Sequence, residues 1–237
     1  MQTLRNSLHD LLCKNRDQFH PVVKFDAALE KIIALNFTEK NEALKQIDLH
    51  NIQQFSDYIT DELTSNHATF GFGGYDEIRV LYKRSSLFDE GDTEEPRRLH
   101  LGIDIWGNEG TEVFAPLDGV VHSYAFNNNY GDYGATIILS HCIDGFEFFT
   151  LYGHLSLADI QNLKEGQQIK HGQKFSHFGQ PAENGQWPPH LHFQIIKNLS
   201  GYHGDYPGVC KLSERESYLA NCPDPDIILN LGSFVSG

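Results

Sequence analysis

At Leu99 the chain changes texture, and that change limits the folds open to it more than any other feature. From there, short β-rich runs follow one another: Val113 to Ala115, Gly119 to Tyr124, Ala135 to Leu139, Phe146 to Tyr152 and Leu191 to Ile196. Their Asn-Asn-Asn, Asp-Gly and Gly-Gln separators suit hairpins and tight loops, which predicts a mainly antiparallel β domain, a sandwich or half-open barrel, over residues 99–237. Before it, apolar residues recur at helical spacing: Leu4, Leu8, Leu11, Leu12; Phe25, Leu29, Ile32, Ile33; Leu44, Ile47; and Ile52, Phe55, Ile59, Leu63. This predicts three or four short helices over residues 1–68, with Pro21 parting the first two and Asn36-Phe37-Thr38-Glu39 offering a cap to the third. Residues 69–98, with Thr69-Phe70-Gly71-Phe72-Gly73-Gly74 and a charged stretch from Asp89 to Pro96, read as a connecting segment. The expected fold class is α+β, a helical N-terminal segment followed by the β domain.

Composition closes off several functions. A formal net charge of -14 repels phosphate backbones and anionic lipid surfaces, and the Arg97-Arg98 pair is too small a patch to reverse that. No nucleic-acid partner and no membrane insertion are therefore expected. Met1-Gln2-Thr3-Leu4-Arg5 leads into no apolar signal core, so a cytoplasmic setting is the expectation for the sequence as it stands. Cys13, Cys142, Cys210 and Cys222 show no Cys-x-x-Cys spacing, which argues against a thiolate zinc site and favours free thiols; Cys210 and Cys222 are the one compact pair open to bridging.

Thirteen histidines make roughly one His-x-His pair expected from random placement, so position must carry the weight. The single such pair, His190-Leu191-His192, opens a β-like run, and the single His-x-x-x-Asp, His100 to Asp104, opens the β-rich half. Residues two or four apart on a strand share a face, so each motif delivers two polar groups to one side while Leu191, Leu101 and Ile103 point to the other. Two such strands can converge three nitrogen and oxygen ligands on one ion and leave a fourth position for water, the open arrangement of a catalytic zinc. Other histidines, among them His122, His141, His171, His177 and His203, carry no such pattern. Gly71, Gly73 and Gly74 are not a phosphate loop, because no Gly-Lys-Ser/Thr follows.

At these residues the sequence resembles the lysostaphin-type zinc endopeptidases. His100-Leu101-Gly102-Ile103-Asp104, Val113 to Val121, Leu151-Tyr152-Gly153-His154-Leu155, Glu165-Gly166, His171-Gly172-Gln173-Lys174 and His190-Leu191-His192-Phe193 look like that family's successive blocks over about a hundred residues. The resemblance implies zinc ligands at His100, Asp104 and His192, catalytic roles for His154 and His190, one zinc ion, and a groove accepting a peptide or peptidoglycan fragment. Asn184-Gly185-Gln186-Trp187-Pro188-Pro189 stands where family members usually carry a Gly-rich turn. Tyr152, two residues before His154, either reaches the reacting centre or packs as an ordinary aromatic. The N-terminal region either packs on the β domain or lays residues 66–75 over the groove.

The expected activity is that of a zinc metalloendopeptidase using a zinc-activated water. The alternatives are a non-catalytic peptide-binding module on a peptidase fold and a zinc amidase acting on a non-peptide substrate.

Overall fold

The computed structural model describes residues 7–89 and 94–234. The N-terminal pentapeptide and part of the charged stretch, residues 90–93, lie outside the described residues.

Two of the expected helices form where local chemistry supports them. α1 (Leu8–Lys14) starts in a capping box, in which the Ser7 hydroxyl accepts from Asp10 N and the Asp10 carboxylate accepts from Ser7 N, and it buries Leu8, Leu11 and Leu12. α2 (Ile52–Ser65) is capped by the Asn51 side chain, which accepts from Gln53 and Gln54, and it buries Phe55 and Ile59 one turn apart. The Leu44–Ile47 pattern is a short 3-10 turn, Glu42–Gln46, capped by Asn41 rather than by the preceding Asn36. The helix expected through Phe25 to Ile33 does not form. Its last part is β1 (Ile32–Ala34), which pairs in parallel with β2 (Phe70–Gly73), Ile32 opposite Phe70. Two adjacent β-branched residues favour the strand, and a partner distant in sequence decides between two periods that a few apolar residues satisfy equally.

The remaining strands are β3 (Leu99–His100), β4 (Ile103–Trp106), β5 (Glu112–Phe114), β6 (Gly119–Asn127), β7 (Gly134–Ile143), β8 (Phe146–Leu155), β9 (Gln168–Ile169), β10 (Lys174–His177), β11 (His190–Ile196) and β12 (Val209–Cys210). Eight strands make one sheet in the order β1-β2-β4-β11-β8-β7-β6-β9, antiparallel except at β1–β2; β10–β5 and β12–β3 form two-stranded ribbons. The fold is α+β and mainly antiparallel, as expected, and its large sheet does not close into a barrel. Strands from both sides of residue 98 share that sheet. Among the described residues, no helix is long and apolar enough to cross a membrane.

One core cluster gathers Ile103, Ile105, Ile137, Leu139, Tyr152, Leu191 and Phe193. A second gathers Phe37, Phe55 and Ile59 from the N-terminal region with Tyr82, Phe88, Trp106 and Trp187. Phe55 meets the Trp106 and Trp187 rings at centroid distances of 5.8 and 6.3 Å, so the N-terminal region packs on the sheet as an aromatic layer. All four cysteines are free, Cys13 and Cys142 exposed and Cys210 and Cys222 buried.

His141 makes an internal pH gauge. Burial pushes its imidazole down to about 4; Nδ1 lies 2.9 Å from the Asp118 carbonyl and Nε2 lies 2.7 Å from Thr150 Oγ1. The unfolded chain takes this proton near pH 6.5 and the folded chain only near 4, so stability is full above 6.5 and is lost as pH falls through that window. The loss assigned to this residue is about 3 kcal/mol. Urea titrations at pH 7 and pH 4 should show a smaller acid loss for His141→Gln than for the unmodified protein; equal losses contradict the assignment.

Candidate metal centre

The site is built on the β4–β11 pair. Their register sets His192 opposite Asp104 and His190 opposite Trp106, so alternation sends both histidines to one face and Leu191 and Phe193 to the core. His100 arrives from β3 after a break at Leu101-Gly102, so one regular strand does not carry both His100 and Asp104. Gly102 permits the approach, since a Cβ there would stand 2.6 Å from His192 Cε1 and 2.7 Å from the Phe193 carbonyl oxygen.

Three predicted ligands converge. His100 Nε2 lies 2.9 Å from His192 Nδ1, and Asp104 Oδ1 lies 3.1 Å from His192 Nδ1 and 3.3 Å from His100 Nε2. The far nitrogen of each ring is committed elsewhere. His100 Nδ1 donates to the Gly74 carbonyl at 3.0 Å, and His192 Nε2 donates to Gln194 Oε1 at 2.9 Å. Gln194 is oriented in turn by its amide nitrogen, which donates to the Pro207 carbonyl. These bonds assign the tautomers, leaving lone pairs on His100 Nε2 and His192 Nδ1 facing a carboxylate oxygen with no proton between them. Such a triangle is repulsive without a cation. Ligands at about 2.0–2.1 Å from a tetrahedral ion stand about 3.3 Å apart, close to the spacing here, and two imidazoles with one carboxylate suit zinc.

Electrostatics favour the same state. Burial opposes ionisation of Asp104, but the Arg79 guanidinium beside it holds its carboxyl well below the usual carboxylate range. Burial, followed by the Arg79 charge, pushes His100 down to about 3 and keeps it neutral.

His154 and His190 stand beside this triangle with ring centroids 4.0 Å apart. His190 stacks on Trp106 at 3.9 Å, and its Nδ1 donates to the Pro188 carbonyl at 2.7 Å. His154 Nδ1 donates to the Asn184 carbonyl at 2.8 Å. Both carbonyls come from Asn184-Gly185-Gln186-Trp187-Pro188-Pro189, and both bonds leave the Nε2 lone pair free of that anchoring role. Burial pushes His190 down to about 4 and His154 well below the usual imidazole range.

Strand parity alone would not have placed His154. Tyr152 is opposite Phe193 and Gly153 opposite His192, so regular alternation would send His154 to the core. Its backbone instead takes φ +62°, in the left-handed region that non-glycine residues rarely occupy, at a register irregularity in the β7–β8 pairing. The ring thereby turns to the site, at the cost of local strain of a kind found at functional positions. Tyr152 takes the packing role: its ring meets Phe175 and Phe193 at 4.9 and 5.3 Å, and its hydroxyl lies 3.1 Å from Thr150 Oγ1.

A cavity of about 290 Å³ opens onto this group, and its wall includes Tyr82, Phe88, Tyr133, Trp187 and Tyr206. Residues 66–75 do not line it; β2 lies in the sheet plane beside β4 instead. The sequence reading missed Tyr133, whose hydroxyl is 3.4 Å from His192 Nε2, and Arg79, whose Nη1 donates to Asp104 Oδ2. Neither falls within a motif of the resemblance.

Residues 98–203 match peptidase family M23. Over 101 residues the chain is 35% identical to an "Uncharacterized metalloprotease" of Haemophilus influenzae, covering 43% of this chain and 19% of that protein. Over 122 residues it is 29% identical to the L-Ala--D-Glu endopeptidase of Bacillus subtilis, covering 51% and 36%. The catalytic domain of lysostaphin from Staphylococcus simulans aligns with 22% identity and a TM-score of 0.41, covering 69% of this chain and 96% of that one. The chain thus spans between about a fifth and about a third of the length of these two curated relatives.

Proposed function

We infer that this chain, which carries a lysostaphin-type M23 peptidase domain over residues 98–203, is a zinc-dependent metalloendopeptidase that hydrolyses an amide bond in short peptides derived from peptidoglycan. One observation carries the reading: three lone pairs of a two-histidine, one-aspartate set face one another at 2.9–3.3 Å. In this reading His100 Nε2, Asp104 Oδ1 and His192 Nδ1 hold a single zinc ion. Such an ion, when bound, lowers the pKa of its water to about 7 and polarises the scissile carbonyl.

The chain's own residues handle the proton. His154 and His190 rest neutral with Nδ1–H tied to backbone carbonyls, so each offers Nε2 as an acceptor. One of them takes the proton from the attacking water. The same histidine then passes that proton to the leaving amine.

Enclosure and the relatives support the substrate class. Asp104, His154, His190 and His192 are 2–6% exposed and line a cavity of about 290 Å³, a size that suits a small ligand rather than a polymer strand. The Bacillus subtilis relative is named for cleaving the L-Ala–D-Glu bond. Mass spectrometry of digests of soluble muropeptides, ordinary peptides and intact sacculi tests this. Cleavage of the muropeptides that stops on chelation supports the reading, and faster release from sacculi than from soluble fragments contradicts the substrate class.

A further inference from the structure

We propose that Arg79 is a positioning residue for the metal centre, so that residues 73–79, outside the part of the chain that matches the peptidase family, hold Asp104 and His100 in their orientation toward the ion. The inference rests on the zinc reading above.

The Arg79 side chain is 1% exposed and divides its donors among three acceptors: Nη1 to Asp104 Oδ2, Nε to Glu77 Oε2 at 2.8 Å, and Nη2 to the Gly73 carbonyl at 2.8 Å. A carboxylate beside an ion can bind through either oxygen or through both. With Oδ2 taken by the guanidinium, Oδ1 is the oxygen left facing His100 and His192, which fixes Asp104 as a ligand through one atom. Glu77 balances the added positive charge, so the cation serves the carboxylate without an unpaired charge in the interior.

The glycines in this segment acquire a purpose. Gly74 has φ +104°, and a Cβ there would stand 1.8 Å from Arg79 Nη2, so only glycine leaves room for the guanidinium. The Gly74 carbonyl also accepts from His100 Nδ1, setting the tautomer of a second ligand. The backbone is stitched to β3 on both sides of His100, by Asp76 N to His100 O and His100 N to Glu77 O, each at 3.0 Å. One short segment therefore orients two of the three ligands.

The test is the zinc dissociation constant, measured by competition with a chromophoric chelator, together with the visible spectrum of the cobalt-substituted protein. Lysine cannot reach three acceptors in the planar fork that arginine presents, so Arg79→Lys should weaken zinc binding by about 10–100-fold and alter the cobalt bands. Arg79→Met should weaken it at least as much, and if that variant does not fold, the lysine variant decides. A residue that merely clips the N-terminal region to the sheet would lower the melting temperature of the metal-free protein and leave zinc affinity of the folded protein unchanged. A folded Arg79→Lys protein with unmodified zinc affinity and an unchanged cobalt spectrum overturns this inference alone. An unmodified protein that binds no zinc overturns the functional reading and this inference with it.

Discussion

Replacing His192 with alanine should strip zinc from the protein and reduce amide hydrolysis to background. Zinc affinity should fall by roughly a hundredfold or more, since losing a group that only orients a ligand costs about 10–100-fold and this change removes a ligand. The effect does not come from zinc alone. The His192 ring spans the site, with Nδ1 facing Asp104 and His100 and Nε2 held by Gln194, so its removal leaves buried polar groups without partners as well. Metal analysis after dialysis, beside circular dichroism to verify folding, provides the check. His122→Ala, a partly exposed histidine bonded to Ser123, should retain both zinc and activity. Full zinc occupancy in folded His192→Ala would contradict the ligand assignment.

The second large effect separates chemistry from metal binding. His190→Ala should keep its zinc and lose about 10²–10⁴-fold in kcat, the usual worth of a positioned general acid–base, with KM changing much less. His190 stands on the same strand face as His192 but directs its anchored Nδ1 to the Pro188 carbonyl. Its stacking on Trp106 holds the ring plane. His154→Ala should behave in the same way, and because the two rings act as a pair, the double variant should lose little more than the worse single one. A His190→Ala protein with unchanged kcat would remove that histidine from the proton pathway.

How much of this was legible in the sequence depends on which rule each residue obeys. His190 and His192 follow strand alternation, the simplest periodicity a sequence displays, and the structure places them accordingly. His100 and Asp104 were paired by the same reasoning, yet the chain breaks at Leu101-Gly102 and a glycine's missing side chain allows the convergence. His154 came from the family resemblance alone, because its position depends on a left-handed backbone that no residue pattern announces. Arg79 carries no sequence signal: a lone arginine in Glu77-Ile78-Arg79-Val80 has no motif, and its partners are 2, 6 and 25 residues away. The glycines beside it looked like an ordinary turn. In the fold, Ile32 and Ile33 suit a helix as well as a strand because two periods fit so short a run, and only the pairing with Phe70 and Gly71 decides for the strand.

If His100, Asp104 and His192 together hold one zinc ion, anomalous diffraction at the zinc absorption edge from crystals of the zinc-loaded protein should locate it. A single peak is expected about 2.0–2.2 Å from His100 Nε2, Asp104 Oδ1 and His192 Nδ1, with a non-protein ligand completing the coordination. A strong peak elsewhere in the molecule with none among these three atoms would contradict it.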